Sequence, residues 1–408
     1  MSAILALRNG LFVTPGRLRL WSAALLTGFC VAVVAIVATR HGLNDLNGRP
    51  LGADFSSFYS AGRLALGGHS PYDQRALFQA EQSLFGDSTQ YYAFAYPPIF
   101  LLFAAPLALL PYPLALGLWE ALGLAFYLLA LMRLRRTLGL FRAEPSLVLI
   151  GALSFTAIFV EIIHGQNAFL SAGLFALAIS FLNANDAMAG VSFGILAFKP
   201  QLGLIVPFAL AAAGRWRCMT FAALTVAALA ALSAMAFGPS AWREFLATSE
   251  FAKRAILDED AVGYSKMISI FGWLRIWGAP LGLAYAGQAA VGLAAISATA
   301  WLWRWNASPR VAGAALCLGA LLVTPFAFDY DMLILAPALL LLSAEGLERG
   351  FRPYERLCLF ALWLAPAASR TVAAHAHIPL AAPILLATFC LTLLRGVRSE
   401  GSPAAACP

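Results

Sequence analysis

The sequence predicts an all-α polytopic membrane protein, a single domain over residues 1–408 built as a bundle of roughly 12 transmembrane helices with interfacial helices in its first external loop. Three observations carry that expectation. Hydrophobic residues make up 61% of the chain and charged ones only 12%, where soluble domains carry about a quarter charged; the mean hydropathy is +0.78. Apolar runs near spanning length recur along the whole chain, separated by short polar punctuation, so no stretch remains to bury a separate aqueous core. The arginines gather at the ends of those runs.

The net charge of +7, from 27 basic and 20 acidic residues, therefore reads as a set of topology signals. No basic stripe forms, and no nucleic-acid partner is expected. The six cysteines show no CxxC spacing, so neither a disulfide framework nor a metal knuckle is supported.

Taken in order, Arg8, Arg17 and Arg19 precede an apolar run from 20 to 38. It is long and no small-residue cleavage site follows it, so it is expected to stay as an anchor. About 20 apolar residues, each rising about 1.5 Å, cover about 30 Å of hydrocarbon. On that rule further spans are expected at 112–132, 147–163, 167–183, 218–237, 282–303, 311–326, 331–345, 356–372 and 379–396. The stretch 187–213 is interrupted by Lys199-Pro200 and is expected as two half-length helices, because the proline removes an intrahelical hydrogen bond. Segment 97–110, "PPIFLLFAAPLALL", is about 21 Å as a helix and too short to cross. It is expected to be re-entrant or interfacial, which makes 39–111 one external loop.

Orientation follows from the basic clusters: Arg8/Arg17/Arg19, "RLRR" at 133–136, "RWR" at 215–217, Arg304/Arg310, "ERGFRPYER" at 348–356 and "RGVR" at 395–398. All are expected on the cytoplasmic side. The polar segments left over are 39–96, "EIIHGQN" at 161–167, "FKPQ" at 198–201, 238–280, "FDYD" at 328–331 and "AAHAHIP" at 373–379. Each then falls on the extracytoplasmic side, which marks one functional face.

Within that face, Asp54 heads an amphipathic stretch. Phe55, Phe58, Tyr59, Leu64 and Leu66 are expected on the membrane, with Ser56, Ser57 and Arg63 on the polar side. Asp54 is either an N-cap favoured by the helix dipole or a partly desolvated carboxylate serving as general base. Tyr72 and Asp73 open a second interfacial helix as caps. Lys199 lies between "GILAF" and "PQLGLIVPF", a placement that costs about 2.5–3.5 kcal/mol on insertion scales. It calls for an anionic ligand such as a phosphate or for pairing with Glu161 or Asp331. His164, Gln166 and Asn167, with Tyr59 and Gln201, supply the hydrogen-bonding groups that a sugar needs. Asp329 and Asp331 form a similar knot, as ligand contacts or as caps. The 238–280 loop offers Trp242, Lys253, Arg254, Tyr264 and Lys266 to shape an acceptor entrance. His375 and His377 lack nearby carboxylates, and no metal or cofactor is expected.

The ordered set "GADFSSFYSAGRLALGGHSPYD", "YPPIFLLFAAPLALLP", "HGQNAFLSAGLFALA" and "GILAFKPQLGLIVPF" resembles glycosyltransferase family 87 of the GT-C superfamily. The likeness covers most of the chain to about residue 215 and continues more loosely through "TPFAFDYDMLILAPALLLL". It implies a GT-C-like bundle that takes a sugar, mannose-like or arabinofuranose, from a polyprenyl-phosphate donor. The acceptor is then an extracytoplasmic lipid or glycan, and the protein sits in the cell inner (plasma) membrane among its lipids. It also implies Asp54 as general base of an inverting transfer. Lys199 first and Arg63 second are the expected cations for the donor phosphate, since cations stabilise charge developing on a leaving group. No residue marks the acceptor, so a mannoside product is not carried over. The alternatives are a transporter or flippase, which would show an inverted repeat that the halves do not display, and a non-catalytic lipid-binding scaffold.

Overall fold

The structure, a computed structural model, describes residues 3–139, 145–305 and 307–397; Arg398 and Cys407 lie outside them. Among the described residues the chain is helical, with only isolated bridges between extended positions. Six helices are long and apolar enough to cross a membrane. They are α2 (Pro15–Ala38), α6 (Tyr112–Thr137), α13 (Trp216–Lys253), α15 (Leu281–Arg304), α18 (Glu355–Ala376), and α17 (Leu335–Arg349) together with the 3-10 turn Asp329–Ile334 that leads into it. A seventh span forms if α7 (Pro145–Leu153) and α8 (Ala157–His164), bent by 49°, are counted as one.

The remaining apolar pieces are shorter. They are α5 (Leu101–Leu107) behind the turn Pro98–Phe100, α9 (Ala168–Phe181), α10 (Asp186–Ile195), α11 (Pro200–Gly203) with α12 (Val206–Ala212), α16 (Pro309–Val323) and α19 (Ala381–Val397). Among the described residues, six or seven full-length spans and six shorter apolar helices stand beside the roughly twelve crossings expected. Polar residues and prolines interrupt the shorter runs. The stretch 187–213 breaks at Lys199 into two half-length apolar helices, Asp186–Phe198 and Pro200–Ala212, as expected, with a short interruption near Ile205 in the second.

Two expectations are corrected. The region 238–280 is not one long loop. Gly238, at φ 82°, and Pro239 bend α13, and the chain continues as helix to Lys253. A π-helical turn (Arg254–Asp258), a 3-10 turn (Tyr264–Lys266) and α14 (Ile270–Ile276) follow. Nor does α3 (Ala53–Leu66) lie flat on lipid, since Phe55 through Gly62 are all buried. It packs on α5, α4 (Gln74–Phe85), α8 and α6. Its aromatic side chains pack into a cluster, with Phe58 and Phe100 edge to face at 4.7 Å and Tyr59 and Tyr112 at 5.1 Å; such pairs add to area burial. The serines survive burial because Ser56 Oγ donates to Ala53 O at 2.7 Å and Ser57 Oγ to Asp54 O at 2.9 Å. A polar face on paper is thus satisfied inside the helix itself.

α4 begins where capping predicts. Asp73 Oδ1 accepts from Arg75 N at 2.9 Å and from Ala76 N at 3.1 Å. One turn of this helix carries a buried acid, Glu81, whose Oε2 accepts from Tyr92 N at 3.1 Å. Burial pushes the Glu81 carboxyl from 4.5 up to about 8, against the opposing pull of that amide. Between those two values the folded chain holds a proton that the unfolded chain has released. Its stabilisation is therefore complete below 4.5 and is lost as the pH rises through 8, with a slope of at most about 1.4 kcal/mol per pH unit. Glu81→Gln is expected to flatten the fall in melting temperature of the purified protein between pH 5 and pH 8; an unaltered slope would refute the assignment.

The bundle has two unlike ends, and α6 joins them. Near its start Tyr112 Oη donates to Gly52 O at 3.2 Å, and near its finish Arg133 Nε donates to Ser180 Oγ at 3.1 Å. Its 26 residues measure about 39 Å. At the far end Arg215 bonds Asp186 at 3.0 Å, and Arg310 bridges to Glu345 at 3.6 Å around a cavity of about 530 Å³. The arginine clusters share that end. The near end gathers the polar knots.

Candidate functional site

The near end is assembled by two left-handed glycines placed back to back. Gly52 (φ 66°) starts α3, and Gly165 (φ 64°) ends α8. A methyl group at Gly165 would sit 2.6 Å from Phe55 Cβ and 3.1 Å from Gly52 Cα, so only glycine allows the approach. That contact sets Gln166 beside Asp54.

Asp54 occupies the first turn of α3, and Gly52, not Asp54, holds the N-cap position. The half-buried carboxylate accepts one bond, from Gln166 Nε2 to Oδ2 at 3.1 Å. Oδ1 has no hydrogen bond among the described residues. The helix N-terminus favours its negative charge. Gln166 is fixed in turn, because its Oε1 accepts from Tyr96 Oη at 3.0 Å and from Asn167 N at 3.0 Å, and its carbonyl from Trp119 Nε1 at 2.8 Å. The amide can only present its NH2 to the acid.

A second knot holds Lys199. Its Nζ meets Asp331 Oδ1 at 2.6 Å and Asn167 Oδ1 at 3.1 Å, and lies 4.8 Å from the centre of the Tyr330 ring. Lysine and aspartate are 2% and 0% exposed, so the pair is sealed. Asp331 also accepts from Phe328 N through Oδ2 at 3.0 Å. Of the two readings left open for Asp331, this bond realises the cap, while its other oxygen is taken by Lys199. Of the partners expected for Lys199, Asp331 is the one it meets. Glu161 instead serves α9, accepting from Ala168 N at 2.9 Å.

A third knot crosses the bundle. Arg370, on α18, grips Asp329 in a fork, Nε to Oδ2 at 2.6 Å and Nη2 to Oδ1 at 2.9 Å. Its Nη1 lies 3.0 Å from His164 Nε2. His164 Nδ1 lies 2.8 Å from Val160 O, and a carbonyl only accepts, so the proton is on Nδ1 and Nε2 accepts from the arginine. Asp329 is 1% exposed, while Arg370 remains partly open.

The turn Tyr264–Lys266 borders this knot. Met267 pairs with Phe328 in an isolated antiparallel bridge, and Ile268 N donates to Ala327 O at 2.9 Å. The turn also packs on α18. Burial, with help from the Arg370 guanidinium, holds the Lys266 ammonium below its ordinary range, against Asp54 and Asp329.

Asp54, Gln166, Asn167, Lys199, His164, Asp329 and Asp331 therefore share one end of the bundle. Tyr59, Arg63 and Gln201 are not joined to them. The Tyr59 hydroxyl is spent on Leu110 O at 2.8 Å. Arg63 is exposed nine residues along α3 from Asp54, about 14 Å away. Gln201 is half-buried with no side-chain hydrogen bond among the described residues. Sequence reasoning missed Arg370, Tyr96 and Trp119. Arg370 was the legible one, since it interrupts an apolar run just as Lys199 does.

The model of Glycosyltransferase family 87 matches residues 94–328. That stretch contains Tyr96, Gln166, Lys199 and Lys266, and leaves Asp54 before it and Asp329 and Arg370 after it. No curated protein and no solved structure matches the chain.

Proposed function

The chain belongs to glycosyltransferase family 87 and is a multi-pass membrane glycosyltransferase; from that premise we propose that Asp54 is the general base of an inverting sugar transfer from a polyprenyl-phosphate donor. The sugar is a mannose-like hexose or arabinofuranose, and the acceptor a hydroxyl of an extracytoplasmic lipid or glycan. The observation that carries the reading is the Asp54 carboxylate, oriented through one oxygen and with no hydrogen bond at the other among the described residues.

In this scheme Asp54 Oδ1 removes the acceptor's proton as its oxygen attacks the anomeric carbon from the face opposite the phosphate. The bond from that carbon to the phosphate oxygen breaks, and its electron pair leaves with the polyprenyl phosphate. A phosphate is stable as an anion, so no strong general acid is needed. Nearby cations lower the barrier by meeting the developing charge. Lys199, sealed against Asp331, acts on that charge as a field from behind Tyr330. Arg370, partly open at the site, is the cation placed to touch it, in the role that Arg63 is too far along α3 to fill. The arginine clusters at the opposite end support an extracytoplasmic site in the cell inner membrane, by the positive-inside rule.

The test is transfer by the purified protein in lipid nanodiscs supplied with polyprenyl-phosphate sugars and a hydroxyl acceptor, with the anomeric configuration of the product read by NMR. Retention of configuration, or no transfer from any such donor, would refute the proposal. Gln166 acts as a positioning residue. Gln166→Leu is expected to lower kcat about tenfold with the donor KM unchanged; an equal rise in KM would place the amide on the donor instead.

A further inference from the structure

Lys266 is a cation of the site with no partner of its own among the described residues. Its ammonium makes no hydrogen bond or ion pair with any described residue, whereas Arg370 is forked to Asp329 and Lys199 is paired to Asp331. The bridge between Met267 and Phe328 sets residue 266 alongside residue 329, and the turn Tyr264–Lys266 packs on α18, the helix that carries Arg370. Arg370 and Arg49 repel it, and Asp54 and Asp329 attract it. Asp329 is already neutralised by Arg370. A half-buried ammonium beside guanidinium groups is costly until an anion arrives, which is the condition of an unfilled anion site.

We propose that Lys266 is a catalytic cation of the transfer, which binds the leaving phosphate more strongly as the glycosyl bond breaks. The inference rests on the polyprenyl-phosphate donor reading given above. The donor is a phosphodiester with one negative charge. Breaking the bond between the anomeric carbon and the phosphate oxygen leaves the electron pair on that oxygen and the acceptor's proton on Asp54. The departing monoester then carries a charge of about −1.5 to −2 near pH 7. A cation that gains interaction as the second charge appears lowers the barrier and not merely the KM. Lys266 sits on a turn outside the spans, between the bent part of α13 and α14, so the phosphate is met from the aqueous side while Arg370 meets it from the bundle.

The experiment uses the full chain in nanodiscs at pH 7 and two probes, farnesyl phosphate and farnesyl phosphoryl-mannose. The wild type is expected to bind the monoester more tightly than the diester. Lys266→Met is expected to weaken monoester binding by about tenfold to hundredfold and to lower kcat similarly, with diester binding little changed. Lys266→Arg should keep the preference, and retained diester binding certifies that each variant is folded. Equal weakening of both probes, or no weakening, overturns the role of Lys266 while leaving the donor reading intact. A wild type that binds neither probe overturns the donor reading and the inference with it.

Discussion

Replacing Asp54 with asparagine is expected to lower sugar-transfer turnover by about 10²- to 10⁴-fold, the usual contribution of a positioned general base, while leaving donor binding unchanged. Asparagine has the shape of aspartate and keeps an oxygen that can accept from Gln166 Nε2, the bond that holds the side chain at 3.1 Å. What it loses is the basic oxygen pointing away from that amide. Single-turnover transfer measured beside equilibrium donor binding separates the two. A variant that binds donor and turns over at the wild-type rate would remove Asp54 from the chemistry. A variant that loses both in proportion would make it a binding group.

The largest expected effect on stability is that of Lys199→Met. Asp331 is fully buried and would keep its charge with no cation beside it, and Asn167 Oδ1 would lose its donor. Breaking a buried pair from one side costs about 3–5 kcal/mol, whereas replacing both partners with apolar groups is often close to neutral. The double variant Lys199→Met with Asp331→Leu is therefore expected to recover most of the melting temperature lost by the single one. That coupling is read from a double-mutant cycle. A single variant that melts normally and only binds donor more weakly would show the ammonium on the phosphate and not on Asp331, which is the role that the sequence alone suggested.

Much of the architecture was open to reading from hydropathy. The runs that became α2, α6 and α15 are unbroken, and their ends carry arginines and prolines that state their limits. The lysine before Pro200 announced both a break and a need for a partner. What resisted was of two kinds. Serines in α3 look like a solvent face, yet each of Ser56 and Ser57 returns its hydroxyl to its own helix, so amphipathic patterning misjudged a buried element. The other kind is pairing at long range. Nothing local ties Arg370 to His164, which are 206 positions apart, or Gln166 to Asp54, which are 112 apart. In a chain whose inner helices are apolar on every side, periodicity does not reveal which faces meet.

The fork between Arg370 and Asp329 also bears on biogenesis. Asp54 and Gln166 emerge from the ribosome early, whereas the guanidinium belongs to one of the last helices in the chain. A nascent chain halted before α18 would hold the Asp329 carboxylate without the guanidinium that grips it. The Asp329 carboxylate therefore waits for its guanidinium until α18 has been inserted, so the order of synthesis sets when this end of the bundle can close.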